Sequence, residues 1–332
     1  MEPLLIITIF ISFFCCFLVI PFWIKKSRQI GLMWEDMNKI NSKKDVAGSG
    51  GIIVVLSAMI GIFLYIAIQT FYFKSSNGNS LQIFAIISSL FIVAIVGLID
   101  DLFGWRRGGL SKRSRIILVL LSAVPLMVIN AGESTMLGIN FGILYPLLIV
   151  PIGVLGATTT FNFLAGYNGL ESSQGIILLS AMAILTYLTG NSWLSVVALC
   201  MVASLIAFYI FNKNPAKIFP GDVLTYSVGM LIAAIAIVGD VEKIAVFFFL
   251  PYILETFLKL RGKLKKQSFG KPNKDGSLDM PYDKIYGLEH LAIWILKRIK
   301  PSKKAYESEV VLLINFFQVF VILIGFLVFF SY

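Results

Sequence analysis

The amino-acid sequence predicts an all-α, polytopic membrane protein with about ten transmembrane helices and a cytoplasmic active site. Three observations predict it. Of the 332 residues, 58% are hydrophobic and only 14% charged, where soluble domains carry ~25% charged residues. The apolar residues come in runs of about 20, the length at which a helix crosses a bilayer. The basic residues between the runs fall almost wholly into alternate gaps, the pattern of loops kept in the cytoplasm.

Taken in order, the runs lie at roughly 4–22, 50–72, 81–99, 115–131, 143–161, 174–189, 192–211, 222–239, 242–258 and 309–330. The first is followed by Pro21-Phe22-Trp23 and then lysines, without a small-residue cleavage site, so it reads as a retained helix. With Met1 outside, 26 of the 28 lysines and arginines lie inside, in the gaps 23–45, 100–115, 212–221 and 259–308, and only Lys74 and Lys243 lie outside. This distribution assigns the formal charge of +10 to topology, anionic ligands and lipid heads, and argues against nucleic acid as a partner. The outer connections are short. The longest inner loop, 259–308, has a centre rich in turn formers, Lys271 to Ser277, and then an amphipathic stretch, Leu288 to Ile299, suited to the membrane surface. The chain reads as one integral membrane domain, 1–332, multi-pass in the cell membrane, with both termini outside.

Cys15, Cys16 and Cys200 all sit inside apolar runs and read as small core residues. His290 is the only histidine, which excludes a metal cage built from histidines. Chemistry must therefore come from carboxylates, amides and cations. Polar groups in or beside apolar helices are costly and need a reason. Four sets collect at the ends of runs assigned to the cytoplasm. The first is Asp100-Asp101 in GLIDDLFGWRRG, either a base or metal-linked pair or a solvated loop edge beside Arg106 and Arg107. The second is Asn162-Phe-Leu-Ala-Gly166-Tyr-Asn168-Gly169-Leu170-Glu171. Helix packing accounts well for Asn162 and Gly166, four apart on one face, but poorly for Asn168, Gly169 and Glu171. The third is Phe219-Pro220-Gly221-Asp222, where Asp222 is placed either to cap the next helix or to hold a metal-bridged anion at its N-terminus. The fourth is basic: Lys112, Arg113 and Arg115, with Lys263, Lys265, Lys266 and Lys271, a solvated face or a match for pyrophosphate. Hard oxygen donors that suit Mg²⁺, facing cations that suit phosphate, form a kit for phosphoryl transfer.

The same segments carry a resemblance along nearly the whole chain. Asp36-Met37-Asn38-Lys39, Asp100-Asp101, the Asn162 to Glu171 segment, Phe211-Asn212…Pro215…Phe219-Pro-Gly221-Asp222 and Leu278-Asp279-Met280 resemble the polyprenyl-phosphate N-acetylhexosamine-1-phosphate transferases. The likeness is nearer to the eukaryotic and archaeal dolichyl-phosphate GlcNAc-1-phosphate transferases than to the bacterial phospho-MurNAc-pentapeptide translocases, whose histidine-rich loop is absent. The arginine cluster of the eukaryotic long loop is absent too, and lysines stand there. The resemblance implies transfer of GlcNAc-1-phosphate from UDP-GlcNAc to dolichyl or another polyprenyl phosphate, releasing UMP, as the first step of N-glycan assembly. It implies Mg²⁺, with Mn²⁺ as a substitute, held by Asn162 and Asp222. Asp100 and Asp101 would act on the lipid phosphate and Lys112 on the pyrophosphate. Gly166 and Phe219 would enclose uracil, with Asn168 and the Met37 backbone on its edge, and Glu171 and Lys271 would complete the substrate-binding set. A homodimer is compatible with this reading. Two alternatives stay open: a sister transferase for another UDP-N-acetylhexosamine, and a secondary transporter, which would place its ionisable groups near mid-membrane.

Overall fold

A computed structural model describes residues 3–40, 44–74, 78–133, 135–136 and 139–330; Lys43, one of the inner basic residues, lies outside them. Helices make up most of it, in the order α1 (Pro3–Ile30), α2 (Gly51–Ala67), α3 (Ser80–Arg107), α4 (Lys112–Leu121), α5 (Val124–Val128), α6 (Val150–Phe161), α7 (Leu170–Leu188), α8 (Ser192–Asn212), α9 (Gly221–Val238), α10 (Glu242–Phe248), α11 (Leu250–Arg261), α12 (Leu288–Ile299) and α13 (Glu307–Phe330). Two antiparallel ribbons, β1 (Met33–Glu35) with β2 (Lys44–Ala47) and β3 (Thr135–Met136) with β4 (Ile139–Asn140), and a small sheet of β5 (Lys271–Pro272), β6 (Ser277–Asp279) and β7 (Ala305–Tyr306) decorate the loops.

Among the described residues, seven helices are long and apolar enough to cross a membrane: α1, α2, α3, α7, α8, α9 and α13. The other three apolar runs are interrupted. The run at 115–131 breaks at Ser122-Ala123 into α4 and α5, and 242–258 breaks at Phe249 into α10 and α11. The run at 143–161 begins as a π-helical turn, Tyr145–Ile149, before α6. Each carries proline at or just after the irregularity, at Pro125, Pro251, and Pro146 with Pro151. A proline inside a helix removes an amide donor and clashes with the preceding turn. Composition gave these runs the right hydrophobicity, and proline changed their continuity.

Burial orders the bundle. Helix α9 is almost wholly buried, whereas α1 and α13 are mostly exposed, so α9 is the axis and the other two face outward. Around α9 pack α3, α6 and α2, while α8 packs between α1 and α7. The close approach to α9 depends on glycine. A Cβ at Gly97 of α3 would fall 2.5 Å from the Val223 Cα, and one at Gly51 of α2 2.5 Å from the Leu224 amide nitrogen. Two helices therefore touch the first turn of α9 backbone to backbone, and that turn carries Asp222.

Candidate active site

The loops at one end of the bundle surround a cavity of about 680 Å³, within the range of small-molecule sites. Its wall takes residues from the loop after α1 (Trp34, Asp36, Met37), from α3 (Asp100, Asp101), from α4 (Arg115), from the α6–α7 turn (Asn162, Gly166, Glu171), from the start of α9 (Phe219, Asp222, Thr225) and from the long loop (Phe269).

The first turn of α9 is fixed from two sides. Backbone bonds tie the segment before it to the start of α2: Phe219 N–H donates to the Ala47 carbonyl at 2.7 Å, and Gly50 and Gly51 N–H donate to Phe219 and Pro220, each at 2.9 Å. From α3, the Asp101 carboxylate accepts the Asp222 N–H at 2.7 Å, and its other oxygen is buried without a hydrogen-bond partner. The helix starts at Gly221, and Pro220 precedes it without a side-chain cap. Asp222 is thus a first-turn residue and not the N-cap, and its side chain is 27% exposed toward the cavity. Asn162 ends α6, and its Oδ1 accepts the Thr225 hydroxyl at 3.0 Å.

Asp100 is buried and fully engaged. One oxygen accepts Leu110 N–H at 2.8 Å; the other meets Arg115 Nε at 2.7 Å and the Tyr226 hydroxyl at 3.3 Å. The same guanidinium lies 3.9 Å from the Asp222 carboxylate. Asp100 and Asp101 do not close their helix: α3 continues to Arg107, nearly two turns further, so the unfavourable charge of a helix C-terminus does not bear on them.

Two carboxylates, Asp100 and Asp222, therefore face one cation, Arg115, and Asp101 joins them through the Asp222 N–H. The open Asp222 carboxylate and the Asn162 amide oxygen beside it are hard oxygen donors that fit a divalent cation. Among the described residues no group of three or more His, Cys, Asp and Glu side chains has the arrangement of a complete protein cage.

The other expected residues are distributed unevenly. Met37, Gly166, Glu171 and Phe219 line the cavity. Gly166 has φ +110°, and a Cβ there would run into the Phe269 ring at 2.8 Å, so glycine is required. Its N–H donates to Glu171 at 2.8 Å. Asn168 is buried behind this turn, donating from its side chain to Asp36 at 2.9 Å. Lys112 is exposed in the first turn of α4, and Lys271 is exposed on β5; neither lines the cavity. The cation that does is Arg115, which the sequence groups with Lys112 without separating them. Phe269, Trp34 and Thr225 also escape sequence reading, since nothing in their local sequence marks them.

The family model described as glycosyl transferase family 4 matches residues 83–240. A protein of Saccharolobus solfataricus provisionally named UDP-N-acetylglucosamine–dolichyl-phosphate N-acetylglucosaminephosphotransferase is 36% identical over 296 residues, covering 87% of this chain and 88% of its own. A Sulfolobus acidocaldarius protein with the same provisional name is 33% identical over 274 residues, 80% of each chain. A phospho-N-acetylmuramoyl-pentapeptide-transferase of Streptococcus pneumoniae is 28% identical over 232 residues, 68% of this chain and 69% of its own.

Proposed function

The chain belongs to glycosyl transferase family 4, and from that premise we propose that it transfers GlcNAc-1-phosphate from UDP-GlcNAc to dolichyl or another polyprenyl phosphate, releasing UMP. The observation that carries this reading is the open carboxylate set around Arg115, in one cavity with Gly166, Met37 and Phe219. Gly166 and Phe219 bound a slot for a flat base, with the Met37 backbone at its edge. Asp222 and Asn162 would hold Mg²⁺. Bound there, the ion neutralises pyrophosphate charge and makes UMP a better leaving group. Arg115 is the cation positioned to meet a phosphoryl oxygen, in the role expected of Lys112. Asp100 holds Arg115 in place. Asp101, which lines the cavity, takes the proton of the lipid phosphate. A lipid phosphate oxygen then bonds to the β-phosphorus as the bond from that phosphorus to UMP breaks, and UMP departs with the bridging oxygen.

The cavity opens among the loops that hold the basic residues, which supports a cytoplasmic active site, a multi-pass topology and both termini outside. Counting the three interrupted runs as crossings gives ten. The whole chain acts as one transferase domain. Incubating the purified protein with polyprenyl phosphate, Mg²⁺ and a panel of nucleotide sugars tests the reading. UDP-GlcNAc should release UMP and GDP-mannose should give no turnover. Equal turnover of both would overturn the nucleotide assignment, and a preference for another UDP-N-acetylhexosamine would reassign the sugar alone.

A further inference from the structure

Glu307 is the first residue of α13 and stands 5% exposed, with its carboxylate directed into the protein. Two loops meet it directly, and a third joins through them. Its Oε1 accepts the backbone N–H of Asn168 at 2.8 Å and the side-chain amide of Asn38 at 3.4 Å, and its Oε2 lies 3.5 Å from Lys39 Nζ. Each partner passes the constraint on. Asn38 Nδ2 donates to the Gly166 carbonyl at 2.8 Å. Lys39 pairs with Asp36 and donates to Asn214 Oδ1 at 3.2 Å, and the Asn168 side chain donates to Asp36 at 2.9 Å. One carboxylate thereby ties the loop after α1, the α6–α7 turn and the α8–α9 loop, which supply Met37, Gly166 and Phe219 to the cavity.

Capping of α13 does not explain this burial. Glu309 already serves the helix end, accepting Tyr306 N–H at 3.0 Å and pairing with Lys300 at 2.6 Å. Burying a second carboxylate there is costly unless its bonds repay it, and those bonds all run to segments that wall the cavity. We propose that Glu307 is a positioning residue for the nucleotide: touching no substrate, it sets the register of Gly166 and Met37 around the base. This rests on the assignment of that slot to uridine.

The test uses the full-length protein in detergent, with UDP and Mg²⁺ as the binding probe and both substrates varied in turnover. Glu307→Ala should weaken UDP binding and raise KM for UDP-GlcNAc by about tenfold, leaving KM for the lipid phosphate unchanged. Glu307→Gln keeps an acceptor for Asn168 N–H and should recover UDP affinity to within about threefold of wild type. Glu309→Gln should bind UDP as wild type does. UDP affinity within twofold of wild type in Glu307→Ala overturns the inference. So does a parallel fall of kcat, both KM values and thermal stability in the Ala and Gln variants alike, the signature of a merely structural role. Should Glu307→Ala not fold, Asn38→Leu, which cuts the link from Glu307 to the Gly166 carbonyl, must raise the UDP Kd several-fold, and an unchanged Kd overturns the inference. A wild-type chain that does not bind UDP removes the nucleotide assignment itself, whereas a wild type and Glu307→Ala that bind UDP equally refute the positioning role alone.

Discussion

Two regions of this protein bury more carboxylates than cations, and they differ in their access to solvent and ligands. Around the cavity, Asp100 and Asp222 share Arg115 while Asp101 accepts the Asp222 N–H, and Asp222 remains partly open. Behind the long loop, Glu255 and Glu289 share Lys259, and both glutamates are fully buried. Glu255 also accepts Leu288 N–H at 2.6 Å, and Lys259 is bonded to Ser268 beside it. Burial, reinforced by the neighbouring Glu255, holds the Glu289 carboxyl well above the ordinary glutamate range. The sealed cluster is closed to any ligand, while the open one is free to balance its charge with a cation or a phosphate-bearing ligand. Access separates the two regions where composition does not, and only the open one is suited to catalysis.

The largest effects should fall on the open side. Arg115→Gln should lower kcat/KM by about 100-fold, the scale of losing a charged phosphoryl contact in a closed site, whereas Lys112→Gln should stay within about threefold, as for an exposed charge. Steady-state kinetics on both variants check this, and the reverse ranking would return the cation role to Lys112.

The sealed side should show small effects on turnover and a distinct dependence of stability on pH. Glu289→Gln keeps the side-chain shape and removes the ionisable group from a buried cluster, so turnover should change by less than about twofold and thermal stability near neutrality should hold or rise. A tenfold loss of turnover would mean the cluster takes part in the reaction. His290, buried beside it, accepts Tyr286 N–H at 3.3 Å through Nδ1, and burial followed by the repulsion of Lys259 lowers its pKa from 6.5 to about 4. As pH falls below 6.5, the unfolded chain binds a proton at this site that the folded chain does not, so the contribution of His290 to stability falls progressively toward pH 4. Raised carboxyls such as Glu289 act in the opposite sense, so the check is a difference between melting curves: His290→Gln should lose less stability than the wild type between pH 6.5 and 4. Identical slopes would show that another group governs the transition.

Much of this was legible in the sequence, because lipid imposes long apolar helices and makes polar interruptions conspicuous. The Asp100-Asp101 pair, Asn162, Gly166, Phe219 and Asp222 stood out for that reason and do meet in one cavity. What stayed hidden depends on three-dimensional placement. Arg115 and Lys112 are equivalent by composition; only Arg115 lines the cavity, because Ser111, which accepts Ser114 N–H at 3.2 Å, fixes where α4 begins and hence its phase. Proline interrupted three apolar runs that hydropathy alone reads as continuous. Glu307 reaches partners 139 and 269 residues away in sequence, a relation no local pattern announces.

The central claim, that Asp222 meets the metal-bound nucleotide while Asp101 serves the lipid phosphate, is tested most directly by Mg²⁺-dependent UDP binding to the wild type, Asp222→Asn and Asp101→Asn, alongside their turnover. Asp222→Asn keeps the side-chain shape and should fold normally. The account predicts that it loses the Mg²⁺-dependent part of UDP binding together with turnover, and that Asp101→Asn loses turnover while binding UDP as the wild type does. Near-native turnover in Asp222→Asn would contradict a metal role at that position, and an equal loss of UDP binding in both variants would contradict the division of labour between the two aspartates.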